Sequence, residues 1–172
     1  MATTAKGTPY VESSDLVANY PAVSLALAEH IDDFGGKVLQ VVRATDATFT
    51  TTTSTSFVDA TGMTVTITPQ RSTSAIIIIA NFIFSRDGAA DEALYAITDS
   101  SNNVISGAES DLIFHNSSTL LRMSTMTIAY ATPATTSATT YKLRLKATAG
   151  VTVQVNNNRG KTGQMYAIEV SA

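Results

Sequence analysis

The segment Ala75-Ile-Ile-Ile-Ile-Ala-Asn-Phe-Ile-Phe84 constrains the fold more than any other part of this 172-residue chain. It is rich in β-branched residues, which favour strands, and it is too short to cross a membrane as a helix. Apolar side chains occupy its odd and its even positions, so a strand formed here must be covered on both faces. The second cover can come from the N-terminal helix above a central strand, or from another subunit.

Two other segments alternate between apolar and polar residues. Residues 63–68 place Thr at every second position, and residues 141–146 alternate Tyr or Leu with Lys or Arg. Each pattern predicts a strand with one face toward the core and one toward solvent. We therefore interpret Lys142, Arg144 and Lys146 as one solvated strand face.

From Gly36 onward Thr, Ser and β-branched residues dominate, and short clusters of turn residues such as Thr61-Gly62 and 99–103 interrupt them. Many short strands at regular spacing are typical of a sandwich or barrel. We predict an all-β fold, an antiparallel, jelly-roll-like β-sandwich that follows a short N-terminal arm and helix. The candidate strands are 37–43, 47–52, 57–59, 63–68, 75–84, 93–98, 104–107, 120–130, 141–147, 151–155 and 164–170.

A helix is predicted over residues 22–33. Val23, Leu27 and Ile31 recur at intervals of four, so their side chains share one helical face. Pro21 suits the first position of such a helix. A helix this short is marginal alone in water, so the stripe must be buried on its own β domain, on symmetry mates or on a partner protein. We expect contact with other subunits, as a three-helix seam on a symmetry axis.

The residues before the helix predict an extended arm. They are too polar to fold alone, so contacts with a partner must order them. Gly35-Gly36 ends the helix, and the composition changes there, which predicts an anchor region over 1–35 and a β domain over 36–172. The arm residues expected to contact a partner protein are Pro9, Tyr10, Val11, Leu16, Val17 and Tyr20.

The overall charge argues against several classes of protein. The net charge is −3, so a nucleic-acid partner is not expected. Charged residues make up 15% of the chain, against about 25% in an average protein, which favours a surface that is covered by partners. No membrane segment or apolar signal region is recognisable, and synthesis in the cytoplasm is expected.

Few residues carry recognisable chemistry. The chain has no cysteine, which excludes disulfides and thiolate metal sites. Of its two histidines, His30 lies beside Glu29 and Asp33, which make a poor metal site, and a Ser-His-Asp arrangement stays open for His115. No Gly-x-Ser-x-Gly motif frames a nucleophile. We therefore predict that the protein is not an enzyme and needs no cofactor.

Two acidic groups have oxygen atoms of the kind that Ca²⁺ prefers. One comprises Asp87, Asp91 and Glu92, and the other comprises Glu109 and Asp111. Neither matches the spacing of an EF-hand loop, and we interpret both as solvated loops without a metal. Whether they bind Ca²⁺ is left open.

The first half of the chain resembles known phage proteins. Segment Thr8–Asp32 is similar to the N-termini of minor tail and other virion proteins of tailed phages, particularly phages of actinobacterial hosts. The segments Gly36-Lys-Val-Leu-Gln-Val-Val42, Thr53–Asp59, Thr61–Pro69 and Ser72-Thr-Ser74 resemble a β module of phage fibre and virion structural proteins. The resemblance implies a homotrimeric virion component and leaves attachment to tail or capsid open. The second half carries no motif that we recognise.

We therefore expect a non-enzymatic, trimeric structural protein of the virion, of the minor tail or fibre type. Its arm would dock on other virion proteins, and Ile77 and Ile79 would join the helical stripe in the subunit interface. One alternative is a capsid decoration protein or head fibre. Another is a module that binds host-surface glycan through the aromatic residues Tyr95, Phe114, Tyr130 and Tyr141.

Overall fold

The computed structural model describes residues 2–3, 9–10, 20–32, 37–87, 92–113, 121–148, 150–156 and 160–171. The chain divides into two compact units, Met1–Lys37 and Val38–Ala172. Within the described ranges, no helix has the length and apolar character that crossing a bilayer requires.

The described part of the first unit consists of one helix and two very short strands. Strands β1 (Ala2–Thr3) and β2 (Pro9–Tyr10) pair antiparallel. Helix α1 covers Tyr20–Asp32, so the predicted helix is confirmed and begins two residues earlier than the expected 22–33. Pro21 occupies its first turn, where the missing backbone N–H has no helical partner to lose.

The second unit is an antiparallel β-sandwich, as the short, alternating segments predict. One sheet has the order β5-β10-β7-β8, and the other contains β3, β12, β6, β11, β4 and β9. The strands are β3 (Val38–Asp46), β4 (Thr50–Thr52), β5 (Val58–Ile67), β6 (Ala75–Asp87), β7 (Glu92–Thr98), β8 (Val104–Ile113), β9 (Leu121–Ala131), β10 (Thr139–Ala147), β11 (Thr152–Val155) and β12 (Gly163–Val170).

Strand β6 is the centre of the larger sheet. Along one edge it pairs with β9 over residues 76–86. Along the other edge it pairs first with β12 and then, from Phe84 to Asp87, with β11. The long apolar segment is therefore a central strand with a neighbour on each side, and its alternate residues face the core and the outside of the sandwich.

The core between the sheets contains a group of three aromatic rings. Phe82 and Phe84 of β6 meet Tyr95 of β7 edge to face, with ring centroids 5.3 and 5.0 Å from Tyr95. All three side chains are buried. Because the group joins residues from both sheets, truncating Phe84 to Ala would cost about 3–5 kcal/mol of stability.

Two expectations about local structure were wrong. Thr61-Gly62 was expected to separate two strands, but β5 continues through it with a bulge opposite Leu143. Gly62 adopts a positive φ of 78°, which accommodates the bulge without ending the pairing. The two acidic groups were expected in loops, but Asp87 ends β6, Glu92 begins β7, and Glu109 and Asp111 lie within β8.

Candidate interaction surfaces

The expected anchoring residues fall into two groups. Pro9 and Tyr10 form β2, and Tyr20 begins α1. Val11, Leu16 and Val17 lie outside the described residues. The docking of this arm on a partner protein therefore stays a prediction.

The expected helical stripe lies on α1. Leu27 is half-buried, whereas Leu25, on a different part of the helix surface, is 59% exposed. Val23 and Ile31 belong to the helix, but their side chains are outside the description. The contact of this stripe with other subunits also stays a prediction.

Ile77 and Ile79 lie on the outer face of the larger sheet and are half-buried. The register places their neighbours on the same face, because directly opposite residues of antiparallel strands point to the same side. Ile77 stands between Ile168 of β12 and Tyr130 of β9. In the next row, Ile79 stands between Tyr166 and Ile128.

This surface continues to both edges of the sheet, and we call it the apolar face. It is formed by Val41, Ile77, Ile79, Met126, Ile128, Tyr130, Tyr166 and Ile168. Met126, Ile128 and Tyr130 are 60%, 51% and 63% exposed. Contiguous exposed apolar surface is a candidate for contact with another molecule.

Polar side chains border the apolar face on the side of β3. The guanidinium of Arg43 lies 5.9 Å from the centre of the Tyr166 ring. It also donates two hydrogen bonds to Gln164 Oε1, at 3.2 and 3.0 Å. An apolar centre with a polar rim is the usual anatomy of a protein–protein interface.

The outer face of the smaller sheet has the opposite character. Arg144 Nε lies 2.6 Å from Asp59 Oδ1, and Lys142 Nζ lies 3.1 Å from Asp59 Oδ2. Lys146 Nζ lies 3.5 Å from Glu109 Oε1. The predicted polar face of strand 141–147 is thus confirmed, and its charges are paired with carboxylates on β5 and β8. Charged side chains are stable in contact with water, whereas apolar side chains are stabilised by burial. The two outer faces of the sandwich therefore differ in how much they gain from contact with another molecule.

The sequence patterns did not single out the contribution of β9 to the apolar face. Within Leu121–Ala131 the even positions 126, 128 and 130 carry Met, Ile and Tyr, whereas the odd positions from 125 carry Thr or Ala. That alternation was a usable signal of two different faces. It could not indicate that the larger side chains point outward. The small residues Thr127 and Ala129 are the buried ones, and only the packing of the two sheets determines this.

The residues considered for chemistry do not come together in the described part of the chain. No group of three or more His, Asp or Glu residues there is close enough to hold a metal ion. Asp91 and His115 lie outside the described residues, and nothing is described of the His30 side chain. Glu109 is paired with Lys146.

A cavity of about 480 Å³ lies at one end of the sandwich. Its walls come from the β7–β8 turn, the start of β8, the end of β9 and the segment that leads into β10. Strand β9 belongs to one sheet and β10 to the other, so the cavity lies where the chain passes between them. Its volume is within the range of about 300–1,000 Å³ that is typical of small-molecule sites.

The cavity brings together two of the aromatic residues that were considered for glycan contact. Tyr130 is exposed at its rim, and Tyr141 is 1% exposed in its wall. The Tyr141 hydroxyl is buried and has no hydrogen-bond partner among the described residues. Tyr95 belongs to the core instead, and Phe114 lies outside the described residues.

Asp99 supplies a carboxylate to the same cavity. It accepts hydrogen bonds from the backbone N–H of Ser101 and Asn103, at 2.8 and 2.9 Å, and from the Asn103 side chain at 2.9 Å. The Asn103 side chain contributes most to a lowered pKa of Asp99, and burial opposes it. Burial, together with the negative charge of Asp99, raises the pKa of Tyr141 to about 12. At neutral pH the cavity therefore contains an ionised carboxylate and a protonated phenol.

Comparison with known proteins adds no relative from which a role can be transferred. No protein-family model matches the sequence, and no curated protein matches it.

Proposed function

We propose that this chain is a non-enzymatic structural protein of a tailed-phage particle. It acts as a homotrimer, docks on other virion proteins through its N-terminal arm, and displays the β-sandwich. The resemblance of the first half to minor tail and fibre-type proteins supports the particle and the trimer. A capsid decoration protein or head fibre would use the same architecture at a different attachment point.

The contrast between the two outer faces of the sandwich is the observation that carries the proposal. Ion pairs such as Asp59–Arg144 cover the outside of the smaller sheet, whereas side chains such as Ile79 and Ile128 cover the outside of the larger one. Burying apolar surface releases about 25 cal/mol for each Å². The apolar face is therefore the surface that gains most from contact with a neighbouring subunit.

The oligomeric state tests the interface directly. Size-exclusion chromatography with light scattering should report a trimer for the wild-type protein at micromolar concentration. Ile128→Lys should shift the protein toward monomer, because it places a charge in the centre of the buried face. The matched control is Asp111→Lys, which places the same side chain on the exposed edge strand of the opposite sheet and should leave the trimer intact.

Circular dichroism must first show that both variants fold. A wild-type monomer, or equal dissociation of the two variants, would contradict the proposed interface. The particle role has a separate test, in which purified particles of the encoding phage are analysed by mass spectrometry. The chain should be present in a copy number divisible by three, and its absence from particles would exclude the virion role.

A further inference from the structure

The most exposed apolar side chains of the larger sheet lie at its two edges and not at its centre. On β9, Met126 and Tyr130 are 60% and 63% exposed, and on β3, Val41 is 57% exposed. Ile77 and Ile79 of the central strand are half-buried, because β12 and β9 flank them on both sides. Each edge strand lacks one neighbour, and a further strand beside it would cover the exposed side chains.

Strand β9 lacks the features that usually prevent an edge strand from pairing with another chain. Among the described strands it pairs with β6 alone. Strand β8 approaches it from the smaller sheet but forms no ladder with its described residues. Residues 123–131 contain no charged residue, proline or glycine, whereas natural edge strands commonly carry charges, prolines or bulges that block pairing. The backbone of β9 is therefore a place where a further strand can be added.

The edge strands of the smaller sheet do carry such features. Strand β5 contains Asp59 and is bulged at Gly62. Strand β8 contains Glu109 and Asp111, and its register with β7 is irregular. Charges and bulges of this kind discourage the addition of another strand. The contrast identifies β9 as the edge strand that is most open to pairing.

Strand β3 of a second copy fits this edge in chemistry and direction. Four of its first five residues are aliphatic. Its charged Arg43 is turned toward β12, where it contacts the Tyr166 ring and Gln164 Oε1, and so leaves the free edge of β3 open. Strands β3, β12, β6 and β9 alternate in direction, so β3 and β9 run in opposite directions. A rotation about an axis parallel to the strands therefore places β3 of the next copy antiparallel to β9.

We propose that β9 of one subunit pairs antiparallel with β3 of the next subunit. The larger sheets of three subunits then join edge to edge, with their apolar faces turned toward a common axis. This contact rests on the proposed trimer and names the two surfaces that form it. A ring of three needs contact between two different surfaces, because identical surfaces meet about a twofold axis and close as a dimer.

Cysteine cross-linking tests the contact, because the chain contains no cysteine of its own. Ile128→Cys is combined in turn with Val41→Cys, Arg43→Cys and Thr45→Cys, which are three successive outward positions of β3. Within one subunit, three strand spacings of together about 14 Å separate β3 from β9. A disulfide spans Cα atoms that are about 4–7 Å apart, so it can form here only between subunits.

After oxidation with diamide, at least one double variant should migrate as a covalent trimer on a denaturing gel, and reduction should return it to monomer. Ile128→Cys alone should give no cross-link, because β9 meets β3 and not another β9. The matched control combines Ile128→Cys with Thr66→Cys, whose second cysteine lies exposed on β5 of the opposite sheet. This control should also stay free of cross-links.

Light scattering of the reduced variants separates this contact from the proposed trimer. If they are trimers and none of the three pairs cross-links, the trimer stands and the contact between β9 and β3 is wrong. A covalent dimer from Ile128→Cys alone would also overturn the contact, since β9 would then meet its own copy. A monomeric wild-type protein would overturn the trimer and the contact together.

Hydrogen exchange of the wild-type trimer decides the case if the substitutions themselves disrupt assembly. Alternate backbone N–H groups of an edge strand point away from its neighbour. Those that β9 directs away from β6 should exchange slowly in the trimer, because β3 of the next subunit accepts their hydrogen bonds. Rapid exchange at these groups in a trimeric protein would contradict the pairing.

Discussion

The side-chain amide of Gln40 on β3 donates a 2.6 Å hydrogen bond to Glu169 Oε2 on β12. The other carboxylate oxygen of Glu169 accepts the backbone N–H groups of Gln70 and Arg71, at 2.8 and 3.3 Å. Glu169 is fully buried, and Gln40 also donates to the Thr68 carbonyl at 2.6 Å. This one carboxylate therefore fastens the loop between β5 and β6 to the edge of the larger sheet.

The stability of the protein should fall in acid because of Glu169. Burial raises the pKa of this carboxyl, but the hydrogen bonds from Gln40 and the backbone outweigh it and hold the pKa below the ordinary 4.5. A carboxyl whose pKa is lower in the folded state than in the unfolded state contributes its full stabilisation when the pH is above its unfolded-state pKa. That stabilisation is lost as the pH falls through the folded-state pKa. Chemical denaturation between pH 7 and pH 3 measures it.

The variant Glu169→Gln tests whether this carboxyl causes the loss of stability in acid. An amide cannot accept hydrogen bonds at both positions, so the free energy of unfolding at pH 7 should fall by about 1.5–3 kcal/mol. Its decline toward pH 3 should be shallower than that of the wild type. Some acid sensitivity should remain, because the pKa of Asp99 is also lowered, chiefly by Asn103. Parallel curves for the two proteins would show that Glu169 does not control the transition.

Gly62 should tolerate no side chain. A Cβ built at this position lies 2.3 Å from the Asp46 carboxylate carbon, and its φ of 78° is unfavourable for other residues. Gly107 has a similar φ of 79°, but a Cβ there meets nothing within 4 Å. Gly107→Ala should therefore cost about 1 kcal/mol from the backbone alone, and Gly62→Ala on the order of 3 kcal/mol.

Urea denaturation of these two variants separates the steric contribution from the backbone contribution. Asp46 accepts hydrogen bonds from the backbone N–H and the hydroxyl of Thr48, both at 2.8 Å, so it cannot move away without losing them. Equal losses of stability in Gly62→Ala and Gly107→Ala would mean that this contact relaxes at no cost.

Removal of residues 1–35 should leave the β-sandwich folded. The sandwich lies within the compact unit Val38–Ala172 and has its own core of buried residues. We expect the melting temperature to change by only a few degrees, equivalent to about 1 kcal/mol or less. Incorporation into particles should be lost, since the proposed anchor is absent. A truncated chain that fails to melt cooperatively would show that the first unit is needed for folding.

Leu27→Asp should impair assembly more than Ser24→Asp does. Leu27 is half-buried on α1, whereas Ser24 is exposed and donates a 3.0 Å hydrogen bond to the Pro21 carbonyl. A charge placed in a buried helix contact costs several kcal/mol, on the order of 3 or more. Light scattering and particle incorporation should both respond to Leu27→Asp. Small, equal effects would mean that the helical stripe is not an interface.

Local patterns were sufficient for most of the elements in the described residues. Alternation in 141–146 predicts strand β10 because a half-buried strand needs opposite chemistry on its two faces, and the helix follows from the apolar spacing after Pro21. The bulge at Gly62 was missed for a physical reason. A glycine in a β-bulge and a glycine in a turn can both have a positive φ, and only the pairing with β10, which lies far along the chain, distinguishes them.

The candidate sites divide in the same way. Ile77 and Ile79 were recognisable from sequence, since a strand that is apolar on both faces requires two covers. The cavity was not recognisable, because Asp99, Tyr130 and Tyr141 lie on three different segments, and only the packing of two sheets brings them together. The aromatic candidates could be named from the sequence, but their exposure could not: Tyr95 is in the core and Tyr130 is at the rim.

The amino-acid sequence of this protein predicts its strands, its helix and the division between an N-terminal region and a β domain, because each depends on neighbours within a few residues. Three features depend on contacts between residues far apart in the chain. They are the order of the strands, the pairing of β12 and β11 along one edge of β6, and the character of each outer face. Ile128 meets Ile79 and Arg144 meets Asp59 only after the sheets form. The tertiary structure therefore determines which face is apolar, and with it which surface is available to a partner.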